Sequence, residues 1–216
     1  ADFYRREGKL LESKTHYEKA YELSGKDSNI GEQIEDIQLE LLRDKLTAAK
    51  DVFNRDREDA EAKKQVTLIS KALIKREIEI FTRRVERYPA DMRIKYELAQ
   101  RFIRLKKWSP AISLLQQSVK DSRISSDALV ALGKCFYADG KKELAKRQFE
   151  KALPKLSVDE KPEIFKEAHY LLGRLYQESG QKVQADDHYS EILAVDYEYK
   201  DARQRLEDDG TGESDG

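Results

Sequence analysis

The chain has 216 residues, 38% of them charged, and its 41 Lys and Arg against 42 Asp and Glu leave a net charge of −1. No run approaches the roughly eighteen apolar residues of a membrane span, and the single Cys135 excludes an internal disulfide. Four prolines in a chain dominated by Leu, Ala, Glu, Lys and Arg predict an all-α protein. Because it opens at Ala1 and contains one Met, Met92, it is expected to be a piece of a longer chain, soluble as given, with a cytoplasmic address as the default.

Residues 1–28 place Tyr4, Gly8, Ser13, Tyr17, Ala20 and Gly25 at spacings that return later in the chain. Residues 29–90 differ. Ile30, Ile34, Ile37, Leu41, Ala48 and Val52 form one helical stripe, and Ala62, Val66, Ile69, Leu73, Ile80 and the neighbouring Phe81, Val85 and Tyr88 form another. With no Gly or Pro to turn either stripe, the pattern predicts two long antiparallel helices of about 25 and 32 residues, the longer reaching roughly 48 Å, with a bend at Asn54-Arg55-Asp56. Residues 91–125 form a helical hairpin carrying Leu98, Ala99, Phe102, Ala111, Leu115 and Ser118; Ser109 is expected to cap its second helix and Pro110 to open it, while Lys106 stands at the turn. A second hairpin, residues 126–159, has Leu129, Leu132, Gly133 and Phe136 on its first helix, Asp139-Gly140 at its turn, and Leu144, Ala145, Phe149, Ala152 and Leu153 on its second. A third, residues 160–199, reads Leu172, Gly173, Tyr176, Gly180, Ala185, Tyr189 and Ile192, and Pro162 fits the first turn of a helix that the additional residues 158–165 lengthen. Residues 200–207 suit a capping helix, and 208–216, without a large apolar side chain, are expected to be a disordered acidic tail.

The hairpins share one ruler. Ala99, Phe102, Ala111 and Leu115 precede Gly133, Phe136, Ala145 and Phe149 by 34 residues, and Gly173, Tyr176, Ala185 and Tyr189 repeat the offsets after six more. This small-x2-aromatic and small-x3-large pattern at period 34 resembles the tetratricopeptide repeat (TPR), a helix-turn-helix unit that stacks into a solenoid. The resemblance implies an all-α, right-handed TPR-like helical solenoid in which 1–28 is a remnant of a repeat. The 29–90 hairpin is then an insertion whose end rejoins the array at Phe81 and Pro89.

The resemblance also implies a function, protein–protein interaction, with a peptide or partner helix held on the concave face lined by the first helices. That face maps onto Arg93, Tyr96, Glu97, Gln100, Ile103 and Arg104, then Asp127, Val130, Lys134 and Tyr137, then Glu167, Tyr170, Arg174 and Gln177. Exposed Tyr and Arg have the composition of binding hot spots; the competing reading packs Tyr96, Tyr137 and Tyr170 between helices. A Lys and Asn clamp for a terminal carboxylate is absent, its positions being held by Tyr96, Gln100, Ala131, Glu167 and Leu171. No phosphate loop, nucleophile elbow or zinc spacing occurs, and His16, His169 and His188 lack the i, i+4 pairing of a helical metal site, so neither an enzyme nor a cofactor or metal site is expected. Two other classes of function stay open. The long hairpin could pair with a second copy to form a homodimer, or the stretch 71–107, with twelve basic and five acidic side chains, could attract nucleic acid.

Overall fold

The computed structural model describes residues 1–208, which are helical with connecting turns and contain no strand. The chain divides into two compact units, Ala1–Glu86 and the remainder from Arg87.

The first unit contains α1 (Asp2–Arg6), α2 (Leu10–Leu23), α3 (Ser28–Arg55) and most of α4 (Ala60–Arg87). Asp27 starts α3 by accepting from the amides of Asn29 and Ile30 at 2.8 and 3.2 Å, which satisfies donors that the first helical turn leaves open. The two long helices are 28 residues each, about 42 Å at 1.5 Å per residue, in place of the expected 25 and 32. The stripe Ile30, Ile34, Ile37 and Leu41 packs on Tyr17, Tyr21 and Leu10, which assigns it to α2 and not to α4. A different stripe, Leu39, Leu42 and Leu46, meets Leu73 and Ile80 of α4. Ion pairs rise along α3 as they descend α4, Glu35 to Arg83 and Arg84, then Arg43 to the buried Glu77 at 2.8 Å, so the two helices run antiparallel. Their connection lies at residues 56–59, where Asp59 accepts from the amides of Glu61 and Ala62.

The second unit is a succession of hairpins: α5 (Met92–Arg104) with α6 (Trp108–Ser118), α7 (Ser125–Ala138) with α8 (Lys142–Ala152), and α9 (Pro162–Glu178) with α10 (Lys182–Leu193). A 3-10 turn, Leu153–Lys155, follows α8, and α11 (Ala202–Asp208) packs on α10. Each helix contacts the next along the chain, and α7 also touches α9, so these two first helices lie side by side. The recurring small and large residues meet at the centre of the hairpins. A Cβ on Gly133 would stand 2.7 Å from the Phe149 ring, and one on Gly173 would stand 2.9 Å from the Tyr189 ring. Both rings are fully buried, each contributing about 1.5–3 kcal/mol of hydrophobic stabilisation.

The hairpin turns are copies of one another. Lys106, Gly140 and Gly180 take φ of +55°, +74° and +73°. Around them the amides of Lys107, Lys141 and Gln181 reach back to the carbonyls of Phe102, Phe136 and Tyr176, all close to 2.9 Å. Gly8 repeats the geometry between α1 and α2, with Lys9 donating to Tyr4. This turn sets where the following helix begins, at the residue after the back-bonded amide. Consequently α6 begins at Trp108 with Lys107 as its boundary residue and no side-chain cap; Ser109 and Pro110 sit inside its first turn, which corrects the expectation that they cap and open it. The helix α9 begins at Pro162 and runs 17 residues, against 13 in α5 and 14 in α7. Asp208 closes α11, and the rest of the expected tail lies outside the described residues.

Candidate partner-binding groove

One face of each first helix contributes to a small cleft of about 90 Å³ in the second unit. Tyr96, Gln100 and Ile103 come from α5 at helical spacing; Asp127, Val130, Ala131 and Lys134 come from α7; Ile164 and Glu167 come from α9. Val130 and Ala131 are buried, so they form its floor, and the partly covered Ile103 and Ile164 line it from α5 and α9.

The charges of the cleft are already engaged. Lys134 Nζ stands 2.9 Å from the Glu167 carboxylate, tying α7 to α9. Lys161 Nζ donates to both carboxylate oxygens of Asp127 at 3.0 Å and to Ser126 Oγ at 3.3 Å. The Tyr96 hydroxyl is pushed up to about 12 by burial, with the Asp127 and Glu97 carboxylates adding to the effect, so it remains a hydrogen-bond donor at neutral pH.

A further polar cluster joins α7, α8 and α9. The Tyr137 hydroxyl donates to Glu178 Oε1 at 3.2 Å, Lys142 pairs with Glu178 at 2.9 Å, and the Arg174 guanidinium lies 5.8 Å from the Tyr137 ring centre. The hydrogen bond from Lys142 is the main cause that holds the Glu178 carboxyl below its ordinary range.

The structure thus separates the fourteen side chains that the sequence assigned to one surface. Tyr96, Gln100 and Lys134 line the cleft, whereas Tyr137 and Arg174 belong to the Glu178 cluster. Arg93 and Arg104 are exposed on α5 without lining it. Tyr170 is buried: its hydroxyl donates to Asp201 at 2.6 Å and its ring packs near Tyr189 and Tyr199, so for this residue packing between helices replaces the expected exposure. Gln177 turns the same way, its Oε1 accepting from Tyr189 and from Arg205 of α11. Ile164 was missed because residues 158–165 read only as added length, although an apolar residue three positions before Glu167 was the available signal.

Elsewhere the Cys135 thiol is buried and pushed up to about 11 by desolvation, which keeps it protonated and unreactive at neutral pH. Among the described residues no three His, Cys, Asp or Glu side chains group as a metal site requires, and no helix is long and apolar enough to cross a membrane.

No protein-family model and no curated protein matches the sequence. Solved structures do match. The C-terminal part of a TPR repeat-containing protein from Cytophaga hutchinsonii is 19% identical, with a TM-score of 0.65 over 94% of this chain and 83% of that one. YrrB, described as a TPR protein with an unusual peptide-binding site, is 17% identical, with a TM-score of 0.58 over 88% of this chain and 97% of its own. MamA is 19% identical, with a TM-score of 0.57 over 67% of this chain and 84% of its own. The fold is therefore that of the TPR-like helical repeats, as the period-34 pattern implied.

Proposed function

We propose that this protein is a non-enzymatic interaction scaffold that takes a peptide or partner helix into the cleft between α5, α7 and α9. The observation that carries the proposal is the composition of that cleft: an apolar floor of Val130 and Ala131 with Ile103 and Ile164 beside it, flanked by lysines that already have carboxylate partners. A surface so arranged offers little net charge to an acidic tail, and its favourable term is the covering of apolar area by a preformed wall. YrrB, with its peptide-binding site, supports the reading by analogy of fold. The absence of the terminal-carboxylate clamp fits an internal segment of the partner better than its end.

Nucleic acid fits less well. In the basic stretch Arg76 bonds Gln38, Arg83 and Arg84 pair with Glu35, Lys95 bonds Gln117, and Arg101 pairs with Glu97, which leaves these cations committed within the protein.

The test is selection of displayed random peptides on the intact chain, followed by affinity measurement against Ile103→Asp and Ile164→Asp variants of unchanged helicity. Selected peptides should carry apolar side chains and lose on the order of tenfold or more in affinity for either variant, as expected when a desolvated contact is lost. Peptides that bind both variants as well as the parent would place the binding surface elsewhere, and an enrichment of acidic sequences would contradict the apolar reading.

A further inference from the structure

Two of the three histidines meet inside the last hairpin. His169 of α9 and His188 of α10 face each other through their Nδ1 atoms at 3.1 Å, with ring centres 5.1 Å apart in an edge-on arrangement. His169 is buried and His188 is partly so. Aromatic rings close the pair from both sides: Phe165 lies 4.3 Å from His169, and Tyr176 stacks on His188 at 5.4 Å. Tyr176 in turn is fixed to α8, its hydroxyl donating to Glu150 at 2.8 Å and its ring covered by the Lys146 ammonium at 4.0 Å. The imidazole pair is thus the polar centre of a contact that spans α8, α9 and α10.

We propose that the His169–His188 pair is an acid-sensitive latch between α9 and α10, closed while it holds no extra proton or one, and opened by the second. With both rings neutral, one Nδ1–H donates to the other Nδ1. One additional proton is tolerated, because an imidazolium can still donate to the neutral ring across the same 3.1 Å. A second proton places two N–H donors and two positive charges face to face, and no acceptor remains between them. The charged groups around the pair determine the order of filling. Asp187 and Glu191 on α10 and Glu150 on α8 act on His188 and favour its cation, partly countering the burial that lowers its affinity for a proton. His169 has burial and the neighbouring His188 against it and is pushed down to about 4. Both groups take up protons less readily folded than unfolded. Stability of this hairpin is therefore complete above the unfolded histidine value of about 6.5 and declines as pH falls from there toward 4.

The test is amide hydrogen exchange on the full chain, with protection corrected for intrinsic rates and compared between α9–α10 and α5–α6, a hairpin of the same unit that contains no histidine. Between about pH 7 and pH 4.5, protection of α9–α10 should fall roughly 50-fold more than that of α5–α6, the ratio set by moving one imidazole from 6.5 to about 4. His169→Phe, which keeps a ring against Phe165 but cannot take the second proton, should remove most of the difference and leave only the part due to the burial of His188. An equal fall in that variant, or no preferential fall in the parent, would overturn the latch. Should the variant not fold, NMR titration of the parent's imidazole carbons decides: two separated steps, the later near pH 4, support the latch, and one joint step near 6.5 refutes it.

Discussion

Replacing Gly133 by alanine sets two effects of known size against each other. In an open helix the change would stabilise by about 1 kcal/mol, because glycine is the poorer helix former. Here the new Cβ would sit 2.7, 2.8 and 2.9 Å from three atoms of the Phe149 ring, roughly an ångström inside ordinary contact. Phe149 is fully buried in the cluster that also holds Ala111, Ala145 and Leu172, so its ring has no open side into which to move. Overpacking of this kind costs about 1–3 kcal/mol. We expect Gly133→Ala to be net destabilising by about 1 kcal/mol and Gly133→Leu by at least 2, read from urea unfolding midpoints at unchanged slope. Phe149→Leu should cost about 1–2 kcal/mol alone, below the 3–5 of a truncation to alanine. If steric conflict with the ring is the mechanism, combining it with Gly133→Ala should recover about 0.5–1.5 kcal/mol relative to the sum of the single changes. Strict additivity of the two, or a stabilised Gly133→Ala, would refute the close-approach explanation of this repeat position.

Other perturbations test the turns and the end of the second unit. Lys106 occupies with φ of +55° the place that Gly140 and Gly180 hold in the later turns; Lys106→Gly should therefore stabilise by about 0.5–1 kcal/mol and raise the melting temperature, whereas a loss of stability would show the left-handed lysine to be free of strain. Tyr170→Phe removes the 2.6 Å hydrogen bond to Asp201 and should cost about 1 kcal/mol, with faster exchange in α11. Burial alone would push Asp201 up, but hydrogen bonds from Arg205 and then Tyr170 outweigh it and hold the carboxyl below its ordinary value. The difference between Tyr170→Phe and the parent should accordingly persist above about pH 4 and shrink as pH falls below it; a difference independent of pH would assign the effect to packing.

What the sequence made legible was whatever a steric requirement had written into it. Gly133 and Phe149 are separated by a fixed number of residues because one must be small where the other is large, and that requirement alone points to the hairpin and its crossing. The Lys106 turn was visible as a departure from glycine, though not its consequence for Ser109, which depends on where a backbone hydrogen bond closes. Side-chain destinations were legible only in part. Tyr170 occupies a slot like those of the exposed candidates, yet it is covered because Tyr199 and Asp201, some thirty residues on, return to it. Lys134 read only as part of the concave face, and the partner that engages it, Glu167, lies 33 residues away on another helix. The stripe of Leu39, Leu42 and Leu46 was overshadowed by the stronger isoleucine series one face round.

That second stripe changes what α3 is. A helix apolar on one side leans on its neighbour and can peel from it; α3 is gripped on two sides, by Tyr17 and Tyr21 on one and by Leu73 and Ile80 on the other. It acts as the spine of the first unit. Detaching α4 strips one flank of a rod whose other flank α2 still holds, and displacing α2 exposes Ile34 and Ile37 on the same rod. Two contacts far apart in sequence are thereby coupled through 28 residues of continuous backbone hydrogen bonding.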